Sequence, residues 1–169
     1  TILIATGLHR PTTEEEQRRM FGDAIVDHEK IAINNAFDPD QFIHMGVLPS
    51  GADFNVNKLA AECDLLVTEG FIEPHFFAGF SGGRKSILPG IAGRETIMKN
   101  HNLALNPGIG SGSNPKVRSA NMNSTNPVHA DMMEACSMVS PTFLLNVVVN
   151  DEQEIIAAFA GNWVTAHRA

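Results

Sequence analysis

The sequence predicts an α/β domain with a largely parallel, Rossmann-like sheet, flanking helices and a β-hairpin near the C-terminus. Short apolar runs at residues 2–6, 31–37, 42–48 and 64–68 have the length and composition of buried strands. Segments with helical spacing separate several of these runs, as in folds where a helix connects one parallel strand to the next. The length of 169 residues suits one domain, and we find no internal repeat.

The composition indicates a soluble globular chain and argues against several kinds of partner. Hydrophobic residues make up 43% of the chain and charged residues 18%. The net charge of −7 argues against nucleic acid or an anionic membrane as a partner, because both prefer a basic surface. Cys63 and Cys136 stand in helix-like segments, where a reduced, buried cysteine packs as a small hydrophobe. With no signal peptide evident, we expect a cytoplasmic protein.

The first strand leads through a loop into a helix with a clear start signal. The loop carries His9. A capping box opens the helix, either as Thr12 with Glu15 or as Thr13 with Glu16. The first unit is therefore predicted to be a strand, a loop with a histidine, and a helix.

Three further helices are marked by their spacing or their caps. Residues 57–63 predict a short helix before the fourth strand, and residues 94–105 predict a longer helix whose inner face includes His101. Pro127 opens another helix, with Asn126 as its cap.

The remaining segments are a long loop, a hairpin and a final helix. Residues 106–126 are rich in Gly, Ser, Asn and Pro and predict an irregular loop. Their Gly-x-Gly-x-Gly run follows a helix and not a strand, which is the wrong context for a dinucleotide-binding fingerprint. Residues 142–149 and 154–160 predict the hairpin, and the chain turns helical again from residue 162.

The most informative stretch is the glycine-rich loop at residues 73–93, which follows an apolar strand. Open α/β sheets place ligands at the carboxyl ends of strands. Glycines in the loop permit positive φ, so that successive N–H groups turn toward an anion, and Arg84 and Lys85 add cationic donors. A nucleoside-triphosphate P-loop is excluded, because it needs glycine directly before the lysine and Arg84 stands there.

Three histidines occupy comparable places on this framework, and two chemistries compete for them. His9, His75 and His101 as a set would bind zinc and activate water, as in a metallohydrolase. Alternatively, one histidine binds a metal or cofactor while two move protons. Lys85 favours the second chemistry, since a cofactor enzyme can use lysine as a covalent tether. A non-catalytic fragment that binds nucleotide or metal is a third reading. The histidines expected to be solvated are His28, His44 and His167.

Several motifs together resemble the lactate racemase family that uses a nickel-pincer nucleotide. They are TGLHRPTTEEE, EPHFFAGFSGGRKSILPGIAG, the following His101, NPVHADMMEA and FLLNVVVNDEQEIIAAFAGNWVTAHRA. The resemblance covers essentially the whole chain. It implies an isomerase that racemises or epimerises small 2-hydroxy acids, by hydride transfer to and from a pyridinium-3-thioamide-5-thiocarboxylate mononucleotide carrying nickel.

The resemblance also implies a role for each matching residue. Lys85 would hold the nucleotide covalently, and His101 would bind nickel. His9 and His75 would act as paired acid/base groups, one for each enantiomer. The residues implied to line the cofactor bed are Gly79, Ser81, Gly82 and Gly83.

The family resemblance further implies a longer, two-domain protein. Residues 1–169 would then be a single α/β cofactor-binding domain, and its substrate pocket would be completed by parts of the protein outside this chain. The isolated domain is therefore expected to be inactive. The sequence does not distinguish lactate from malate or from longer 2-hydroxy acids.

Overall fold

The computed structural model describes residues 1–105, 112–123 and 125–169, and it confirms the α/β class. The strands are β1 (Ile2–Ile4), β2 (Ile31–Ile33), β3 (Phe42–Val47), β4 (Asp53–Asn57), β5 (Val67–Phe71), β6 (Pro74–His75), β7 (Gly79–Phe80), β8 (Phe143–Val149) and β9 (Ile155–Gly161). The helices are α1 (Glu14–Phe21), α2 (Asp23–His28), α3 (Lys58–Ala61), α4 (Arg94–Asn102), α5 (Pro127–Val139) and α6 (Trp163–Arg168).

The sheet composition is mixed and not largely parallel. Strand β1 pairs with β2 in parallel, and β5 pairs with β8 in parallel. The pairs β3–β4, β6–β7 and β8–β9 are antiparallel. The difference comes mainly from β4, which turns back onto β3 directly after residues 49–52. In the described residues the strands form four small sheets, the largest being β5–β8–β9.

The helix starts follow the predicted caps. The hydroxyl of Thr13 accepts from the N–H of Glu16, whose carboxylate accepts from the N–H of Thr13, so the capping box of α1 is formed. Oδ1 of Asn126 accepts from two N–H groups at the start of α5. The predicted hairpin is present as β8 and β9, and α6 follows it.

Other element boundaries differ from the prediction. Strand β5 begins at Val67, three residues later than expected, and continues to Phe71. Helix α4 ends at Asn102, and the first two strands contain three residues each. Residues 106–111 and 124 of the predicted loop lie outside the described residues. Cys63 is exposed, whereas Cys136 is buried as expected, and both are free thiols.

The main core lies between β4, the end of the glycine-rich loop and helices α4 and α5. Its largest fully buried apolar side chains include Phe54, Ile87, Leu88, Ile97 and Met132. This core anchors the C-terminal end of the glycine-rich loop. Among the helices that the structure describes, none combines the length and the apolar character needed to cross a bilayer.

Candidate functional site

The glycine-rich loop folds into a short hairpin followed by a tight turn that presents Lys85. Strands β6 and β7 form the hairpin, and residues Gly83–Ser86 form a 3-10 turn. Lys85 lines an open cavity of about 200 Å³, together with Gly70 of β5 and Ala5 after β1. The loop after β1 is tied to the same region, since the N–H of Gly7 donates to the carbonyl of Gly90 at 2.9 Å.

The predicted bed residues run from β7 to the first residue of this turn, and the protein itself packs against them. Gly82 has a φ of +71°, and a Cβ there would lie 2.9 Å from Oδ1 of Asn146. Gly83 has a φ of +53°, and a Cβ there would lie 2.5 Å from the ring of His167. The same test at Gly79 places a Cβ 2.8 Å from the carbonyl oxygen of residue 121. These glycines are needed for close packing within the chain.

Ser81 is committed to the loop backbone. Its hydroxyl donates to the carbonyl of Phe71 at 2.7 Å and accepts from the N–H of Glu73 at 2.8 Å. The serine therefore closes the loop between β5 and β7. This geometry makes Ser81 a support for the cavity wall.

Three of the predicted functional side chains gather around the ring of Phe77. The ring centroid lies 4.5 Å from that of His75 and 4.9 Å from that of His101. The amine of Lys85 lies 5.9 Å from the same centroid. The structure thus brings together the loop histidine, the loop lysine and the histidine of α4.

Burial sets the protonation of this cluster. It is the largest cause that lowers the pKa of Lys85 to about 8, and the positive charge of Arg84 acts in the same direction while Glu73 opposes it. Burial also lowers the pKa of His75 and of His101 to about 4, with the charge of Lys85 as the next cause. Both imidazoles are therefore neutral at pH 7, and Lys85 is partly so.

The hydrogen bonds of the two histidines differ. Nδ1 of His75 accepts from the N–H groups of Phe77 and Ala78 at 3.4 and 3.3 Å, so the ring hydrogen lies on Nε2. Nδ1 of His101 lies 3.2 Å from Oδ1 of Asn100. That oxygen can only accept, so His101 carries its hydrogen on Nδ1 and Nε2 has a free lone pair.

The side chain of Arg84 does not face the ligand cavity, although the sequence predicted that it would. Its side chain is only 1% exposed. It donates to Nδ1 of His129 at 2.9 Å and to the carbonyl oxygens of Phe80 and Ala78, and it lies 3.1 Å from Nε2 of His167. His167 is thus half-buried and not solvated, whereas His28 and His44 are exposed as expected. Arg84 joins the turn to α5 and α6.

His9 lies on the loop after β1, with an exposed side chain. Its N–H donates to the carbonyl of Thr6, which closes a tight turn. The structure gives no contact between its ring and the cluster around Phe77. Within residues 1–105, 112–123 and 125–169, no group of three or more His, Cys, Asp or Glu side chains is placed to hold a metal ion. The arrangement therefore does not support a zinc site built from His9, His75 and His101.

Known proteins with similar sequences and structures bear on this site. Residues 1–112 match the model of the lactate racemase N-terminal domain. The chain is 48% identical to the lactate racemase of Lactiplantibacillus plantarum, over 99% of the chain and 38% of that protein. It is 46% identical to the lactate racemase of Thermoanaerobacterium thermosaccharolyticum, over 98% of the chain and 37% of that protein.

Two solved structures resemble the fold. The lactate racemase apoprotein from T. thermosaccharolyticum has a TM-score of 0.91 and 46% identity, over 99% of this chain and 38% of that one. A crystal structure of a Thermotoga maritima protein has a TM-score of 0.78 and 27% identity, over 98% of this chain and 43% of that one. The chain spans less than two fifths of the length of the curated relatives it matches. Because the domain model covers well over half of its residues, the chain belongs to the lactate racemase N-terminal domain family.

Proposed function

We propose that the protein carrying this chain is a racemase or epimerase of small 2-hydroxy carboxylic acids such as lactate. The observation that carries the proposal is the cluster around Phe77, where a lysine of lowered pKa lies beside a neutral histidine with a free Nε2. Family membership and the names of the relatives support the same activity. Residues outside this chain would complete the substrate pocket, and a cytoplasmic location is part of the proposal.

The residues present fit a nickel-pincer nucleotide. Lys85 borders an open cavity and has a partly neutral amine, as a covalent tether requires. His101 offers one nitrogen, and the described residues do not supply a second and third protein ligand beside it. A metal at His101 therefore needs its other donors from the ligand, which suits a pincer with two sulfurs and one carbon. In this proposal Lys85 holds the pyridinium-3-thioamide-5-thiocarboxylate mononucleotide, and His101 binds its nickel.

When bound, the nucleotide would supply a hydride acceptor and donor for the Cα of the substrate. The chain's own residues would handle the proton of the substrate hydroxyl. The two enantiomers present that hydroxyl on opposite sides, so two bases are required, and we assign them to His9 and His75. The loop after β1 is hydrogen-bonded to the glycine-rich loop, which places both histidines on connected segments.

His75 needs one rearrangement before its Nε2 can accept a proton. Its hydrogen lies on Nε2 while Nδ1 accepts two backbone N–H groups. These contacts are long, at 3.4 and 3.3 Å, and are therefore weak. Moving the hydrogen to Nδ1 would free Nε2 to act as the base, and the lowered pKa keeps the ring neutral beforehand.

Intact-mass spectrometry with metal analysis tests the proposal. The full-length protein is produced together with the enzymes that make the cofactor, alongside Lys85→Ala and the matched control Lys99→Ala, which removes an exposed lysine of α4. We expect a nucleotide-sized added mass and stoichiometric nickel in the wild type and in Lys99→Ala, and no added mass in Lys85→Ala. An unmodified wild-type protein that carries zinc would refute the racemase proposal.

A further inference from the structure

The side-chain amide of Asn100 is fully buried on α4, and its partners fix its orientation. Nδ2 of Asn100 donates to the carbonyl oxygen of Val128 at 3.3 Å and to Oδ2 of Asp131 at 3.4 Å. Both of these partners are acceptors, so the amide nitrogen must face α5. The amide oxygen is left facing Nδ1 of His101.

Asp131 is held in turn from its far side. It is fully buried on α5, and its carboxylate accepts from the N–H of Ser50 at 2.9 Å and from the hydroxyl of Ser50 at 2.6 Å. These bonds keep the carboxylate turned toward Asn100. A continuous hydrogen-bonded chain therefore runs from Ser50 through Asp131 and Asn100 to the ring of His101.

We propose that Asn100, anchored by Asp131, is a positioning residue that holds His101 in the tautomer with hydrogen on Nδ1 and so presents Nε2 as the metal-binding nitrogen. Histidines that bind metals commonly donate their other N–H to an oxygen, which fixes the ring and its tautomer. The metal role of His101 rests on the proposed function, whereas the tautomer itself requires no metal. Asp131 lies beyond residues 1–112, so the anchor comes from outside the matched domain model.

Long-range ¹H–¹⁵N NMR of the imidazole rings reads the tautomer directly. The full-length protein is prepared without cofactor at pH 8, where a histidine is neutral, and His101 is assigned from the signals lost in His101→Gln. We expect a protonated Nδ1 and an unprotonated Nε2 in the wild type. Asn100→Leu removes the acceptor at similar size, so the form with hydrogen on Nε2 should become the major one.

Thr96→Val is the matched control. Thr96 is equally buried on α4, but its hydroxyl bonds to the backbone of Asp53 and Asn55 and not to His101. Its loss perturbs the same helix, so the tautomer of His101 should stay as in the wild type. If Thr96→Val changed the tautomer of His101 as much as Asn100→Leu does, the proposal would be overturned, because a general loosening of α4 would then explain both results.

Exchanging Asn100 and Asp131 tests the hydrogen-bonded chain while keeping a polar side chain at both positions. Asp131→Asn alone presents an amide to Asn100 and should weaken the preference for hydrogen on Nδ1. Adding Asn100→Asp should restore it, because the new carboxylate accepts from His101 on one side and from the new amide on the other. A wild-type ring protonated on Nε2, or a swap that restores nothing, overturns the proposal. Absence of nickel from the loaded protein would instead reject the proposed function and leave the tautomer result standing.

Discussion

At neutral pH, the amine of Lys85 is expected to react faster than the amine of an ordinary exposed lysine. A lysine with a pKa of about 10.4 is neutral in roughly 0.04% of molecules at pH 7, whereas a pKa of about 8 gives roughly 9%. For equal access, the reactive neutral form of Lys85 is therefore about 200-fold more abundant than that of an exposed lysine. This ratio is the upper bound on its faster acylation, because a less basic amine is also a weaker nucleophile. The largest cause is burial, and the charge of Arg84 is the next.

Replacing Arg84 tests the contribution of its charge. Its hydrogen-bond partners are uncharged, since His129 and His167 have pKa values lowered to about 4, first of all by burial, and the rest are carbonyl oxygens and the sulfur of Met122. Arg84→Met should raise the pKa of Lys85 by about one unit, which lowers the fraction of neutral amine at pH 7 about tenfold and so slows the reaction. Arg84→Lys keeps the charge and should keep the pKa low.

The assay is competitive acetylation with a limiting amount of acetic anhydride across pH 6–11, followed by peptide mass spectrometry. Lys58 and Lys99 are exposed and serve as references in the same sample. The midpoint of each labelling curve separates the pKa from simple access. The reasoning is refuted if Lys85 titrates with the exposed lysines in the wild type, or if Arg84→Met leaves its midpoint unchanged in a folded protein.

Three further outcomes are expected. Gly83→Ala should displace His167 and abolish nucleotide loading, because φ is +53° and the new Cβ would lie 2.5 Å from the His167 ring. Intact-mass spectrometry measures the loading, and a fully loaded Gly83→Ala protein would contradict the prediction. Met132→Ala empties a fully buried core position and should cost about 2–5 kcal/mol in urea unfolding; a loss within 0.5 kcal/mol would contradict it. Because the histidine pKa values are lowered, the folded state binds fewer protons than the unfolded state between pH 4 and about 6.5. The free energy of unfolding should therefore fall as the pH drops through this range. A urea unfolding midpoint that does not change over the range would contradict the prediction. The histidines concerned are His75, His101, His129 and His167.

The local signals in the sequence were reliable where a few adjacent residues decide the structure. The capping box at Thr13 and the cap at Asn126 depend on groups three residues apart or fewer, and both formed as predicted. Strand β4 was missed although Phe54 and Val56 alternate with polar residues, which is the period of a strand buried on one face. Its pairing with β3 made the sheets mixed, and a short pattern does not reveal such a partner.

The site shows the same division between local and distant information. The loop glycines, Lys85 and His101 could be selected from the sequence, because their residue types and spacing are typical of a ligand site. The interior orientation of Arg84 could not be predicted, since its partners His129 and His167 are 45 and 83 residues away. The glycines also proved to serve packing within the chain, which the expectation of ligand contact did not include.

Burial lowers the pKa values in the cluster around Phe77 more than any neighbouring charge does. Burial is the first cause of the lowered pKa at Lys85, His75 and His101 alike, and Phe77 is the side chain that contacts both histidine rings and lies near the amine. The face of an aromatic ring favours a cation, so the contact with Lys85 opposes the loss of its proton. Burial, which lowers the pKa of Lys85, acts against this attraction. Phe77 therefore contributes to the burial of three groups that come from two different segments.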